Sequence, residues 1–130
     1  MKFYSNFESA AEKLKEFLAD PATTEREQAG VIQAFEFSFE QCWKAWQKEL
    51  KALGVSTPSP RQTLAAAFRQ GWISPEKEAL WLQIHEDRNL ASHTYQAEVA
   101  TRLFERIQSH YSAELRAALA GMKARQEDVP

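Results

Sequence analysis

From Thr24 to Gly54 no proline breaks the chain; a Thr24-x-x-Glu27 capping box stands at one end and a glycine suited to terminate a helix at the other. Between them Ile32, Phe35, Phe39, Cys42, Trp46 and Leu53 alternate by three and four, interrupted only at Glu49. That is the apolar seam of a helical bundle, and it predicts one long helix around which every other segment packs. Val31, Phe37, Trp43 and Leu50 widen the apolar surface beyond a single seam, which predicts a second buried face, read as a homodimer interface. The plainer alternative is a central helix wrapped by its own chain. Gly30 inside this helix costs about 1 kcal/mol relative to alanine, and marks either a close helix approach or nothing.

The other segments follow the same logic. A first helix is expected from a Ser5-x-x-Glu8 capping box, with Phe7, Ala11, Leu14, Phe17 and Leu18 on one face, and Asp20-Pro21 ends it. Ser59-Pro60-x-Gln62 supplies an N-cap, a proline at the first helical position and a capping glutamine for a short helix stopped at Gly71. Ser74-Pro75 repeats the arrangement and launches a helix with Trp81 and Ile84. A last helix carries Val99, Leu103, Phe104, Ile107, Tyr111, Leu115 and Leu119, fading near Gly121, after which Lys123 to Pro130 is expected to fray. No stretch alternates with period two between hairpin turns. The expected fold is all-α, an antiparallel up-and-down bundle of four main helices plus a short one, with a single domain over residues 1–122 and a polar tail over 123–130.

With 130 residues the chain has room for one core and not two. No apolar run approaches the 18 or so residues of a membrane span, and the start lacks the order of a signal peptide, so a cytoplasmic protein with no membrane partner is expected. The sole cysteine, Cys42, lies among aromatic residues at helical spacing and reads as a buried thiol. A net charge of −2 counts against a broad basic surface that coats nucleic acid, but not against a local RNA site.

Glu86-Asp87-Arg88-Asn89-Leu90-Ala91-Ser92-His93-Thr94-Tyr95 concentrates chemistry where an amphipathic helix is otherwise ordinary. If residues 80–93 are helical, His85, Arg88, Asn89, Ser92 and His93 share one face. Asn89 stands four residues before His93 and can hydrogen-bond its ring. An imidazole that exchanges a proton and a guanidinium that stabilises charge suffice for RNA cleavage without a metal: the base takes the 2′-hydroxyl proton and the cation holds the phosphorane. On an ideal helix, five residues separate the two groups by about 7.5 Å of rise and about 140° of rotation, so convergence needs a helix end or a second copy. The alternative is that these residues cap a helix end and satisfy one another at a polar interface. No metal is indicated, since His85 and His93 are eight residues apart and no His-x-x-x-His or Cys-x-x-Cys occurs. Glu36 and Glu40 read as a solvated i, i+4 pair, Trp43 and Trp46 as core or interface, and no glycine-rich phosphate loop is present.

The pattern Arg88-x-x-x-x-His93-x-Tyr95 resembles the signature of HEPN domains, specifically the HepT-like proteins known as nucleotidyltransferase substrate-binding proteins. The likeness extends to Gln33 through Glu40 with Trp43-Lys44, to Pro60-Arg61, Ala66, Phe68 and Gly71-Trp72-Ile73, and so to most of the chain from about Phe7 to Leu119. Gln96 departs from the pattern, where relatives often carry a stronger N-cap such as Asp. The resemblance implies a homodimeric helical bundle with the motifs of both copies lining a cleft, no cofactor, and a cognate minimal nucleotidyltransferase as partner. This chain has no Gly-Ser followed by an Asp-x-Asp pair and reads as the companion. In toxin–antitoxin pairs of this type the HEPN chain is an endoribonuclease silenced by AMP groups added to the motif tyrosine. Carried over, His93 is the acid/base, Arg88 the phosphate-stabilising cation, Asp87, Asn89 and Ser92 the supporting polar groups, and Tyr95 the AMP acceptor. The alternative is a non-catalytic subunit that binds a nucleotide or substrate for the transferase; a third reading is a purely structural bundle. A basic rim for RNA is available from Arg61, Arg69, Arg102 or Arg106.

Overall fold

The computed structural model describes residues 2–127, all of whose regular structure is helical. Helix α1 (Ser5–Ala19) precedes the long α2 (Glu25–Ala52), the short α3 (Pro60–Arg69) and α4 (Glu78–Leu90), which a 3₁₀ turn (Pro75–Lys77) introduces. A second 3₁₀ turn (Ala91–His93) leads to α5 (Ala97–Arg106), which runs through a π turn (Ile107–Tyr111) into α6 (Ser112–Glu127). Among the described residues no helix is long and apolar enough to cross a membrane.

Side-chain contacts fix the directions. Trp46 meets Trp81, Phe39 meets His85 and Glu40 meets Arg88, so α2 and α4 are antiparallel. Phe35 stacks on Tyr111 at 5.6 Å and Glu49 takes two hydrogen bonds from Arg125, so α2 and the α5–α6 rod are parallel. Tyr4 at the start of α1 donates to Glu127 at the end of α6. The result is an up-and-down bundle of four long elements with α3 packed across α2 and α4.

Helix α2 is central because its expected seam is buried: Ile32, Phe35, Phe39, Cys42 and Trp46 are at most 3% exposed. Its start is the anticipated capping box, with Thr24 Oγ1 accepting from Glu27 N (3.1 Å) and the Glu27 carboxylate from Thr24 N (3.0 Å). A cap of this kind contributes about 1 kcal/mol. Gly54 and Gly71, at φ +84° and +80°, end α2 and α3 in the left-handed region that glycine enters without Cβ strain. The break in the seam at Glu49 is explained by Arg125, whose guanidinium grips its carboxylate at 2.6 and 3.1 Å and lies 4.3 Å over the Trp72 ring. Cys42 is enclosed, and burial pushes its thiol well up, as suits a packing residue.

Several expectations are corrected. Tyr4, anchored in the core, stands in the N-cap position of α1 with no side-chain cap bond, so the helix starts at Ser5 and the Ser5–Glu8 box does not form; Glu8 pairs with Lys123 instead. Ser74 makes no side-chain cap bond, because Pro75 opens a 3₁₀ turn before α4. Leu53 is exposed at the C-cap of α2, beyond the last turn that packs. Val31 and Leu50 are buried within this chain, and Trp43 is half-buried, so of the widened face only Phe37 stays largely exposed. The last helix does not fade near Gly121: α6 continues to Glu127, with Met122 and Gln126 buried and Gln126 accepting from Phe3 N. Residues 128–130 lie outside the described residues.

Candidate functional site

The motif sits where α4 ends. The α-helical pattern stops at Leu90 and tightens into the 3₁₀ turn, so His85, Arg88 and Asn89 share a helical face while Ser92 and His93 belong to a different turn geometry. The continuous stripe over residues 80–93 is therefore broken at its end. Asn89 does not bond the His93 ring; its carbonyl accepts from Ser92 Oγ at 2.9 Å, and Ala91 O accepts from Thr94 Oγ1 at 3.1 Å. These two local bonds close the turn that turns His93 and Tyr95 outward. Both residues are exposed, Tyr95 at 78%, and their ring centroids are 6.1 Å apart. Gln96, extended at φ −87° and ψ 114°, starts α5 without a side-chain cap, its carbonyl accepting from Val99 and Ala100 N.

Arg88 points back toward α2. Its Nη2 lies 3.3 Å from Glu40 Oε2, and Glu40 also accepts from Trp43 Nε1 (3.1 Å) and pairs with Lys44 (3.4 Å). Burial alone would raise the Glu40 carboxyl, but the Trp43 and Lys44 hydrogen bonds and the Lys44 and Arg88 charges outweigh it and hold it below its ordinary value. Glu36, one turn earlier, is raised by burial against a smaller opposing pull from Arg88. Arg88 Nε is buried without a partner among the described residues. The guanidinium is thus held at one nitrogen, and the side chain as a whole is still 39% exposed, free to turn toward an anion.

Asp87 faces the other way. It is 4% exposed and accepts from Arg106 Nη1 at 2.7 Å and from the buried Tyr111 hydroxyl. Burial and then the Asp87 hydrogen bond raise the Tyr111 hydroxyl; the same carboxylate raises the Arg106 guanidinium. Arg106 immediately precedes the π turn and Tyr111 is its last residue, and the extra residue per turn aims both side chains at α4. Asp87 therefore clamps α4 to the α5–α6 rod, and Arg106 is committed to the clamp instead of a basic rim.

Sequence reasoning passed over Glu40 as a solvated charge. A signal was present: Arg88 has no acidic residue three or four positions away on its own helix, and Asp87 no basic one, so each had to find its partner on another helix. His85 packs on Phe39 with ring centroids 5.8 Å apart; burial, then the charges of Arg61 and Arg88, lower its imidazole. Among the described residues no group of three or more His, Cys, Asp or Glu is placed to hold a metal ion.

Against this geometry, comparison with known proteins gives three likenesses. The family model described as nucleotidyltransferase substrate binding protein like matches residues 2–124. A Haemophilus influenzae protein described as a probable ribonuclease HepT is 31% identical over 84 residues, a match spanning 61% of this chain and 56% of that relative, little more than half its length. A Thermus thermophilus protein of known crystal structure superposes with a TM-score of 0.83 at 30% identity, covering 90% of this chain and 98% of its own. The bundle is thus an all-α, HEPN-like fold.

Proposed function

The chain belongs to the nucleotidyltransferase substrate binding protein like family, and from that membership we propose that it is the toxin subunit of a toxin–antitoxin pair, an endoribonuclease that works without a metal. The observation that carries this reading is the grouping of Arg88, His93 and Tyr95 at one helix end, with His93 and Tyr95 exposed side by side and Arg88 held by a single nitrogen. His93 takes the proton of an RNA 2′-hydroxyl, the 2′-oxygen attacks the adjacent phosphorus, and the bond to the 5′-oxygen breaks. That oxygen takes the proton back from the His93 imidazolium and leaves as a 5′-hydroxyl, and a 2′,3′-cyclic phosphate remains. Arg88 turns from Glu40 to the phosphate oxygens, where charge accumulates as the phosphorane forms. Charge-assisted guanidinium–phosphate bonds, often bidentate, compensate for the one long carboxylate contact.

A cognate minimal nucleotidyltransferase in the cytoplasm silences the chain by adding AMP to Tyr95: the phenolic oxygen attacks the α-phosphorus of ATP and pyrophosphate leaves. Each AMP hangs a phosphodiester charge and a purine on the ring whose centroid stands 6.1 Å from that of His93, competing with RNA for the same cation and volume. Copies of the chain pair through the α2 face that carries Phe37 and Trp43, bringing two such ends into one cleft. Sedimentation at micromolar concentration should give the dimer mass for the wild type and the monomer mass for Phe37→Glu; a monomeric wild type removes the pairing.

The family description and the neutralisation of Arg88 by Glu40 favour a second reading, a subunit that binds a nucleotide for the transferase with no turnover. Growth separates the two. Expressed alone, the chain should arrest growth, and the cognate transferase should relieve the arrest for the wild type but not for Tyr95→Phe. An absence of arrest by the well-expressed chain would favour the binding subunit.

A further inference from the structure

Between α3 and α4 lies a cleft of about 280 Å³, whose apolar walls come from Leu64, Phe68, Ile73 and Trp81, with Leu82 at its mouth. Two guanidiniums, Arg61 and Arg69, stand in its lining, exposed and without a salt bridge or side-chain hydrogen bond among the described residues; Glu78 is the single acidic group there. The cleft is not separate from the motif. Glu78, Leu82, His85 and Arg88 recur along α4 at helical spacing, on one face. Arg61 and Arg88 are both close enough to His85 for their charges to bear on its imidazole. The α4 face that runs from Glu78 and Leu82 in the cleft to Arg88 thus joins the cleft to the place where the proposed cleavage occurs. From Leu82 to Arg88 the helix rises about 9 Å, a length that a strand stacked at about 3.4 Å per residue covers in two to three nucleotides.

Resting on the nuclease reading, we propose that this cleft is a base subsite: it takes one unstacked nucleobase of the RNA strand, two or three nucleotides from the cleaved phosphate. Arg61 and Arg69 hold the flanking phosphates. The chemistry favours a nucleic acid over an apolar helix of a protein partner, because unpaired guanidiniums beside an apolar slot are what a single strand requires: cations along the backbone and a surface for the base. The volume is near the lower end for a ligand cleft, about 300 Å³, which suits one flat ring and not an extended side-chain array. A base can enter only if it is free of a duplex, so the subsite makes the chain selective for single-stranded RNA.

The test uses cleavage-disabled His93→Ala protein and a fluorescent single-stranded oligoribonucleotide carrying one 4-thiouracil base. Photo-crosslinks should map to the peptides holding residues 61–69 and 78–82, and Arg61→Ala and Leu82→Asp should each weaken binding about tenfold. Arg61 and Leu82 are surface positions, and retention of the thermal melting midpoint shows that the variants fold. The matching duplex should bind more weakly than the single strand. Tight RNA binding that both variants leave unchanged, with crosslinks elsewhere, overturns the subsite while the nuclease reading stands. Loss of transferase binding with RNA binding intact overturns it in favour of a protein contact. A chain that binds no RNA at all removes both the subsite and the reading beneath it.

Discussion

His93→Ala is expected to lower RNA cleavage by the purified chain by about 10²–10⁴-fold, the share that a positioned general acid or base supplies. The bundle should remain intact, because the side chain is exposed and makes no hydrogen bond among the described residues. Arg88→Ala should cost about 10²–10³-fold, since it removes a donor aimed at charge that develops only in the transition state. Arg88→Lys should recover little of this, because an ammonium lacks the planar fork with which a guanidinium engages two phosphate oxygens. Single-turnover cleavage separates these effects from binding, with both losses expected in the rate at saturating protein. Equal rates for the three variants and the wild type would assign the motif a structural role.

Asp87→Ala is expected to have the largest effect on stability, about 2–3 kcal/mol, because it strands a fully enclosed Tyr111 hydroxyl and takes the carboxylate from Arg106, whose side chain, 34% exposed, keeps part of its hydration. Thermal unfolding should shift down by roughly 10 °C. Tyr111→Phe, which removes one hydroxyl and keeps the ring stacked on Phe35, should cost less, about 1–1.5 kcal/mol. If Asp87→Ala were no less stable than the wild type, the clamp between α4 and the α5–α6 rod would not be what fixes the helix end that bears the motif.

The long helix was legible in the sequence because its signals agree: a capping box, a seam at alternating three and four, and a terminal glycine all mark the same boundaries. The motif was legible too, since no packing pattern calls for Arg88, Asn89, Ser92 and His93 so close together. What stayed hidden depends on contacts between segments distant in the chain. Ser5 carries the pattern of an N-cap, but Tyr4 is anchored by α6, and that long-range contact decides where α1 starts. Glu40 looks like any solvated carboxylate until Arg88 arrives from α4. The π turn leaves no periodicity in Ile107–Tyr111 that a window could detect, and the Asp87 carboxylate that Arg106 and Tyr111 share lies 19 and 24 residues away from them. The end of α6 was underestimated because Lys123 to Glu127 is polar, yet Arg125 and Lys123 find carboxylates on α2 and α1.

The proposed activity rests on Arg88 and His93 cleaving RNA at the end of α4. The most direct test is incubation of an end-labelled single-stranded RNA with the purified chain in excess chelator, after intact mass has shown Tyr95 to be unmodified, beside His93→Ala. The account predicts fragments ending in 2′,3′-cyclic phosphate from the wild type and none above background from the variant. Intact RNA in both reactions, or the same fragments from both, would contradict it.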